Sequence, residues 1–244
     1  MKRKEIIEGI NLSYYDFGKG ENLLFLHGGR TRASTYKKSL DELSKKYRVI
    51  APDIPGYGDS SVPNTPWSFE DYAKFFQSFV NRLELKEFVV VGYSFGGGIA
   101  YNLASICKNV KKLILVDAAV TKKTNGELRN DVNRLIFYLF RPQYYSILCA
   151  LIKEGILFNL KYLGNRDKIT NARANLRNTN RFLENISVPT VIIWATRDSI
   201  FPVDTANKLH KSIKHSRLIL VNENHEWPLF NQKLFVKYVF RALK

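Results

Sequence analysis

Ser94 is the centre of the segment Gly92-Tyr93-Ser94-Phe95-Gly96, which directly follows the apolar run Phe88 to Val91. A serine with glycine two positions away on each side, at the end of a buried strand, is typical of a sharp strand-to-helix turn that exposes a nucleophilic hydroxyl. Glycine has no Cβ, so Gly92 and Gly96 let the backbone fold tightly around the serine. Such a short pattern also arises by chance, so the prediction depends on whether the chain supplies partners for the serine.

The first partner that a serine nucleophile needs is a base within hydrogen-bond reach. Histidine is the usual base because its ordinary pKa is near ~6.5. His225 follows the apolar run Leu218 to Val221 and a short polar turn, beyond the end of a predicted strand. His210 and His215 lie instead in a basic segment that is typical of a solvated helix face. We therefore predict that His225 is the base.

The second partner is an acid that orients the histidine. Asp198 lies just past the apolar run Val191 to Trp194 and before His225, so the chain order is serine, acid, histidine, which is one known solution to triad geometry. Asp117 also ends a predicted strand and is the alternative acid, although a carboxylate there can equally cap the next turn. The chain order favours Asp198.

A tetrahedral intermediate also needs fixed donors for its oxyanion, usually two backbone amides. The amide after the nucleophile belongs to Phe95. The segment His27-Gly28-Gly29 follows an early predicted strand, and the amide of Gly29 is the second predicted donor. The two glycines can instead serve only a tight turn, and His27 is interpreted as a structural hydrogen-bonding residue.

These residues follow short apolar runs that alternate with longer amphipathic segments, which predicts an α/β fold with a mostly parallel sheet flanked by helices. Because ligands bind outside the carboxyl ends of strands in open α/β sheets, the candidate residues should converge at one edge. The segment Ile10 to Phe17 alternates and then reaches Gly18-Lys19-Gly20, which suits an antiparallel hairpin. The predicted strands are Leu23 to Leu26, Val49 to Ala51, Phe88 to Val91, Leu113 to Val116, Val191 to Trp194 and Leu218 to Val221.

The regular series of strand-like apolar runs is interrupted between Thr121 and Ser187, where apolar residues recur at helical spacing. We interpret residues 121–186 as a helical cap inserted into a core formed by residues 1–120 and 187–244. Aromatic residues of the cap can line an apolar pocket or pack the cap against the core. The predicted substrate pocket comprises Arg30, Tyr93, Phe137 and Trp227.

The composition describes an ordinary globular protein, with 45% hydrophobic and 25% charged residues among 244. The formal charge of +16 is unusual, but the basic residues are dispersed, which favours a solvated surface over nucleic-acid recognition. The basic start forms no secretory apolar region, no apolar run reaches membrane-spanning length, and two cysteines, Cys107 and Cys149, suggest neither a disulfide framework nor a metal site. We expect a cytoplasmic protein that binds neither nucleic acid nor a metal and is not integral to the membrane.

Together these motifs resemble the α/β-hydrolase superfamily over nearly the whole chain. The matching segments are His27-Gly28-Gly29 at the oxyanion loop, Asp53 to Ser60 at the D-x-x-G-x-G-x-S motif, Gly92 to Gly96 at the nucleophile elbow, Asp198 at the acid position and His225 at the base. The resemblance implies an eight-stranded sheet with the cap inserted after the sixth strand. Three positions depart from the family pattern: Arg30, where a small residue or proline is common, and Ala195 and Asn224, where glycine is common.

The resemblance implies a cofactor-independent serine hydrolase, most simply a carboxylesterase that acts on small or medium-sized, largely apolar esters or on related thioesters or lactones. A serine nucleophile disfavours epoxide hydrolysis and dehalogenation, which use an aspartate on this fold. Carbon–carbon bond hydrolysis, cofactor-free perhydrolysis and a hydrolase-like receptor for a small molecule stay open as alternatives. Arg30 can bind a carboxylate, cover the site or face solvent. The oligomeric state is open.

Overall fold

The fold is organised around one twisted sheet of eight strands, in the order β1-β2-β4-β3-β5-β6-β7-β8. The computed structural model describes residues 2–120, 142, 145–161 and 186–244. The strands are β1 (Lys2–Ile7), β2 (Ile10–Phe17), β3 (Glu21–Leu26), β4 (Tyr47–Pro52), β5 (Phe88–Tyr93), β6 (Val110–Val116), β7 (Thr190–Ala195) and β8 (Ser216–Val221). From β4 onward every neighbouring pair is parallel. The predicted mostly parallel α/β sheet is therefore confirmed.

Helices cover both faces of this sheet. They are α1 (Lys37–Ser44), α2 (Phe69–Arg82), α3 (Phe95–Ile106), α4 (Tyr145–Lys161), α5 (Val203–Ser212), α6 (Trp227–Phe230) and α7 (Gln232–Leu243), with a short 3₁₀ helix at Ala33–Tyr36 before α1. Side chains alternate across each strand, so Leu24 packs under α2 and α3 while Phe25 packs under α1 and α7. Two apolar layers result, one on each face.

The antiparallel part of the sheet differs in one respect from the sequence prediction. β2 does form a hairpin, but its partner is β1, joined through the turn at Glu8 and Gly9, and β1 was not predicted as a strand. Gly18 to Gly20 instead connect β2 to β3, and β4 lies between those two strands. The alternation along Ile10–Phe17 indicates an antiparallel strand without specifying which neighbour pairs with it.

The segment that connects β6 to β7 contains α4, a helix of 17 residues, and residues 121–141, 143–144 and 162–185 of this segment, including Phe137, lie outside the described residues. The helical periodicity predicted for this part of the chain is thus observed at Tyr145–Lys161. Across the described ranges, no helix combines the length and the apolar character that crossing a membrane requires.

The turn between β5 and α3 depends on glycines because backbones pass very close to it. A Cβ on Gly96 would overlap the carbonyl of Leu26 and lie 2.6 Å from the carbonyl oxygen of His27. A Cβ on Gly92 would overlap the carbonyl oxygen of Gly96 and lie 2.6 Å from the Cβ of Ala100. Both glycines therefore hold β5, α3 and the end of β3 together, as the sequence pattern predicts.

We expect Gly96→Ala to lower the free energy of unfolding by about 2–3 kcal/mol, because the added methyl group displaces backbone atoms that cannot move independently. Gly155→Ala is the matched control. It lies inside α4, where no described atom outside the backbone of that helix comes within 4 Å of the new Cβ, so the substitution should not lower stability and favours the helix by up to about 1 kcal/mol. Urea unfolding of both variants measures the difference, and equal stability of the two would contradict this account.

Candidate active site

Ser94 lies at the junction of β5 and α3 in a strained backbone conformation, with φ of 50° and ψ of −114°. Its amide donates to the carbonyl of Val116 on the neighbouring strand at 2.9 Å, which fixes the turn against β6. Strain of this kind costs of order 1–3 kcal/mol and persists only where surrounding contacts maintain it. The close approaches at Gly92 and Gly96 supply those contacts.

The Ser94 hydroxyl lies within hydrogen-bond distance of a histidine from the other half of the chain. The Nε2 atom of His225 is 3.0 Å from Oγ of Ser94, and Nδ1 of the same ring is 2.7 Å from Oδ2 of Asp198. A carboxylate at Nδ1 favours the tautomer with the proton on that nitrogen, which leaves the lone pair of Nε2 facing the serine. The structure thus brings together the three predicted residues in the geometry that proton transfer from a serine requires.

Asp198 is fixed independently of the histidine. Its Oδ1 atom accepts hydrogen bonds from the backbone amides of Ile200 at 2.8 Å and Phe201 at 2.9 Å. The other oxygen is therefore free to face His225. Both side chains are buried, with 7% of Asp198 and 5% of His225 exposed, so solvent screens their interaction little.

The environment of His225 determines its protonation. Burial alone lowers the pKa of an imidazole, but the neighbouring carboxylates outweigh burial here and raise the pKa of His225 above its ordinary value. Asp198 contributes through both its charge and its hydrogen bond, and Asp117 and Glu226 add charge. A histidine tuned in this direction is a stronger base than a free imidazole.

Two of the predicted pocket residues lie in the core instead of at an open surface. Tyr93 is 3% exposed, and its hydroxyl donates to the carbonyl of His225 at 3.0 Å. Trp227 is 1% exposed, and its indole N–H donates to Oδ2 of Asp117 at 2.7 Å. Buried phenol and indole groups need hydrogen-bond partners, and here the partners are the backbone of His225 and the side chain of Asp117. These side chains support the site and are not available to line a pocket.

The predicted oxyanion loop lies beside the nucleophile turn. A Cβ placed on Gly29 would be 3.5 Å from the Cβ of Phe95, so the two predicted amide donors belong to adjacent residues in space. His27 fixes the start of this loop. Its Nδ1 is 2.8 Å from the carbonyl oxygen of Gly28, and its Nε2 accepts from the amide of Ile54 at 2.9 Å. Burial lowers the pKa of His27 and so favours the neutral ring that makes both bonds.

The segment Asp53 to Ser60 braces the same loop from the other side. Oδ1 of Asp53 accepts from the amide of Ala33 at 2.9 Å, and its Oδ2 accepts from the amide of Asp59 at 3.0 Å. The hydroxyl of Ser60 donates to the carbonyl of Asp53. This motif therefore positions backbone and does not supply a reacting group.

Arg30 is exposed and has a positive φ of 59°, so its backbone adopts the left-handed conformation in which glycine is more usual. Arg32, two positions after Arg30, forms two ion pairs. Its Nε is 2.7 Å from Oε1 of Glu154 on α4, and its Nη1 is 3.1 Å from Oδ1 of Asp59. Sequence reasoning missed Arg32, because its partner on α4 is distant along the chain.

A second contact joins α4 to the core next to the nucleophile. The ring of Phe158 stacks on that of Tyr57, with centroids 5.3 Å apart and planes inclined by 22°. The Tyr57 ring also contacts Phe95 at 5.6 Å, and its hydroxyl lies 3.7 Å from the position of a Cβ on Gly29. The helix α4 thus covers the side of the site where the two predicted oxyanion donors lie.

Among the described residues, the donor atoms of Asp117, Asp198 and His225 lie within 4.8 Å of one another, a spacing that would suit a metal ion. These atoms are already used within the protein. The Nδ1 of His225 faces Asp198, and both oxygens of Asp117 accept N–H hydrogen bonds. The geometry fits a hydrogen-bonded acid–base cluster better than a ligand set.

Comparison with known proteins identifies the family of the chain. A sequence model for the family described as the alpha/beta hydrolase fold matches residues 21–164, more than half of the chain. The chain belongs to the alpha/beta-hydrolase family. Its fold class and eight-stranded sheet, expected from the resemblance, are confirmed by this match and by the observed topology.

Individual alpha/beta hydrolases are similar over most of their length. The AB hydrolase superfamily protein YisY of Bacillus subtilis is 29% identical over 241 residues, covering 89% of this chain and 90% of that protein. The 2-hydroxy-6-oxo-6-(2'-aminophenyl)hexa-2,4-dienoic acid hydrolase of Metapseudomonas resinovorans is 24% identical, covering 91% and 83%. The solved structure of the esterase EaEST from Exiguobacterium antarcticum superposes with a TM-score of 0.78 at 24% identity, with all of both chains covered. The structural likeness shows the fold.

The raised pKa of His225 predicts how the reactivity of the serine depends on pH. Below that pKa the ring is protonated and cannot accept the Ser94 proton, so the rate of reaction with a fluorophosphonate should fall as pH drops, with a midpoint above ~6.5. Asp198→Asn removes the charge that raises the pKa, so it should move the midpoint downward and lower the plateau by roughly 10⁴-fold. A wild-type midpoint at or below ~6.5 would contradict the assignment.

Proposed function

We propose that this alpha/beta hydrolase is a serine hydrolase that cleaves carboxylic esters, or related thioesters and lactones, through an acyl-enzyme intermediate. The observation that carries the proposal is the continuous line of contacts from Asp198 to His225 at 2.7 Å and from His225 to Ser94 at 3.0 Å. A serine hydroxyl is otherwise a weak nucleophile at neutral pH, and this arrangement is what activates it.

The first half of the proposed reaction forms the acyl-enzyme. Oγ of Ser94 attacks the ester carbonyl while Nε2 of His225 accepts the hydroxyl proton, and the carbonyl electron pair moves onto the oxygen. The backbone amides of Gly29 and Phe95 donate to that oxyanion. As the intermediate collapses, His225 returns the proton to the departing alkoxide, and the alcohol leaves.

The second half uses water in place of the serine. His225 accepts a proton from a water molecule, whose oxygen attacks the acyl carbon, and the same two amides hold the second oxyanion. Collapse breaks the bond to Ser94 and returns the proton to its Oγ, which releases the carboxylic acid. Asp198 keeps the imidazole oriented and stabilises the imidazolium at each step without itself taking the proton.

The surroundings support an apolar acyl group. The rings of Tyr57, Phe95 and Phe158 form a continuous aromatic surface beside Gly29, and Phe69 and Tyr72 pack behind Phe95 at 5.4 Å each. Such a surface favours small or medium-sized apolar substrates over charged ones. We also propose that Arg30, which is exposed and follows Gly29, contacts a polar substituent of the substrate.

Hydrolysis of a carbon–carbon bond is the second candidate, because the dienoic acid hydrolase from Metapseudomonas resinovorans is similar over most of its length. An ester panel run beside a vinylogous dienone substrate separates the two reactions. Turnover of the dienone with negligible ester turnover would replace esterase activity with carbon–carbon hydrolysis, using the same three side chains.

The role of Ser94 is tested with Ser94→Ala, which should abolish both labelling by a fluorophosphonate probe and turnover of nitrophenyl esters, because the attacking oxygen is gone. Ser105→Ala on the same helix α3 is the matched control. Its hydroxyl donates to the carbonyl of Asn102 on the same helix at 2.7 Å, so labelling and turnover should match the wild type. Normal labelling of the Ser94→Ala protein would refute the nucleophile assignment.

The role of α4 is tested with Phe158→Ala. An aromatic pair contributes about 0.5–1.5 kcal/mol, so kcat/KM for nitrophenyl hexanoate should fall about 2- to 10-fold while that for the acetate changes less. Ile156→Ala lies on the solvent side of α4, with Ile156 55% exposed, and should leave both values unchanged. An equal effect of the two substitutions would show that α4 acts on stability and not on the acyl group.

A further inference from the structure

Asp117 is a fully buried carboxyl group that no step of the proposed reaction uses. It follows the last residue of β6 and has a positive φ of 42°, so its backbone conformation is strained. Both of its oxygens accept hydrogen bonds at 2.7 Å. Oδ1 accepts from the amide of Ala195, and Oδ2 accepts from the indole N–H of Trp227.

The two donors belong to the two loops that carry the partners of Ser94. Ala195 is the last residue of β7, three positions before Asp198, and Trp227 begins α6, two positions after His225. One carboxyl group therefore joins the loop of the acid to the segment of the base. Its oxygens also approach the acid and the base directly, since the donor atoms of the three side chains lie within 4.8 Å of one another.

We propose that Asp117 is a positioning residue of this site, which holds the Asp198 loop and the His225 segment at the separation that their hydrogen bond requires. The inference rests on the proposed function for its kinetic consequences, but the contacts that carry it are independent of the substrate. From its position after a strand, Asp117 is an alternative candidate for the acid. In the structure it is Asp198 that contacts His225, and Asp117 contacts the backbone and the indole around them.

The electrostatic surroundings give Asp117 a measurable signature. Burial raises the pKa of its carboxyl group to about 8, against the opposing effect of the His225 charge and of the two hydrogen bonds, and the Asp198 carboxylate adds to the rise. Besides these, Tyr93 and Glu226 interact electrostatically with the cluster, and burial raises the pKa of the Tyr93 phenol so far that it stays neutral. Asp117 and His225 should therefore titrate as a coupled pair in two steps.

The experiment combines Asp117→Asn, Trp227→Phe and the double variant. In Asp117→Asn the side-chain amide has one oxygen acceptor and one NH₂ group, so the NH₂ faces either the Ala195 amide or the Trp227 indole, which are both donors. The kcat for a nitrophenyl ester should therefore fall about 10- to 100-fold. Removing the indole donor in the double variant relieves that conflict. The kcat of the double variant should be about tenfold higher than that of Asp117→Asn, although Trp227→Phe alone reduces kcat.

The titration of the His225 ring, followed by NMR in the protein without substrate, distinguishes positioning from a purely structural role. Wild type should titrate in two coupled steps. Asp117→Asn and the double variant should each titrate in one step, because the ionisable partner of His225 is gone. The midpoint should be lower than in wild type, because the Asp117 contribution to the raised pKa of His225 is lost while the larger contribution of Asp198 remains. Recovery of kcat without recovery of the midpoint would support the proposal.

Two results would overturn it. One is a His225 titration that is the same in Asp117→Asn as in wild type. The other is an unchanged kcat per folded molecule in Asp117→Asn, with only stability lowered. If no ester is turned over by the wild type, the proposed function fails, while the NMR titration still decides the placement of Asp117 beside His225.

Discussion

The hydrogen bond between Asp198 and His225 is the interaction on which the site depends, because it joins the turns that follow β7 and β8 and aims the imidazole at Ser94. A buried carboxylate and imidazole stabilise each other only at close range and in one orientation. Backbone amides orient the carboxylate, and two aromatic rings pack near the imidazole, with centroids 5.5 Å away at Tyr93 and 5.6 Å away at Phe201. The parallel sheet makes this possible, since it brings the carboxyl ends of β5, β7 and β8 to one edge.

The sequence predicts those parts of the structure that depend on local pattern. Each of the six apolar runs lies within an observed strand, since a run of β-branched and large apolar residues bounded by turns suits a doubly covered strand. At Gly92 and Gly96, neighbouring backbone atoms leave no room for a side chain. Ser94, His225 and Asp198 follow strand ends, so the topology alone brings them to one edge of the sheet.

Contacts between residues distant along the chain are harder to predict. The charged strand Lys2–Ile7 pairs with β2 although its composition resembles a solvated segment, because an edge strand needs only one covered face. Arg30 drew attention through its departure from the family pattern, yet Arg32 forms the ion pair to α4. Tyr93 and Trp227 were predicted as pocket residues, but their polar tips turn toward buried partners, which only the packing determines. Phe137 lies outside the described residues.

The two sides of the proposed site have distinct tasks. The core turns hold the groups that are proposed to move protons, and α4 contacts the core through the Glu154–Arg32 ion pair and through the stacking of Phe158 on Tyr57. Among the described residues of the site, no contact explains the formal net charge of +16. In the proposed function, the chemistry depends on the sheet edge and the preference for an acyl group depends on the aromatic surface to which α4 contributes Phe158.

A crystal structure of the protein after reaction with a fluorophosphonate tests the central claim most directly. The account predicts phosphorus bonded to Oγ of Ser94, with the phosphoryl oxygen about 2.7–3.1 Å from the amide nitrogens of both Gly29 and Phe95. His225 should remain hydrogen-bonded to Asp198. A phosphoryl group on another residue, or a phosphoryl oxygen that points to solvent away from both amides, would contradict it.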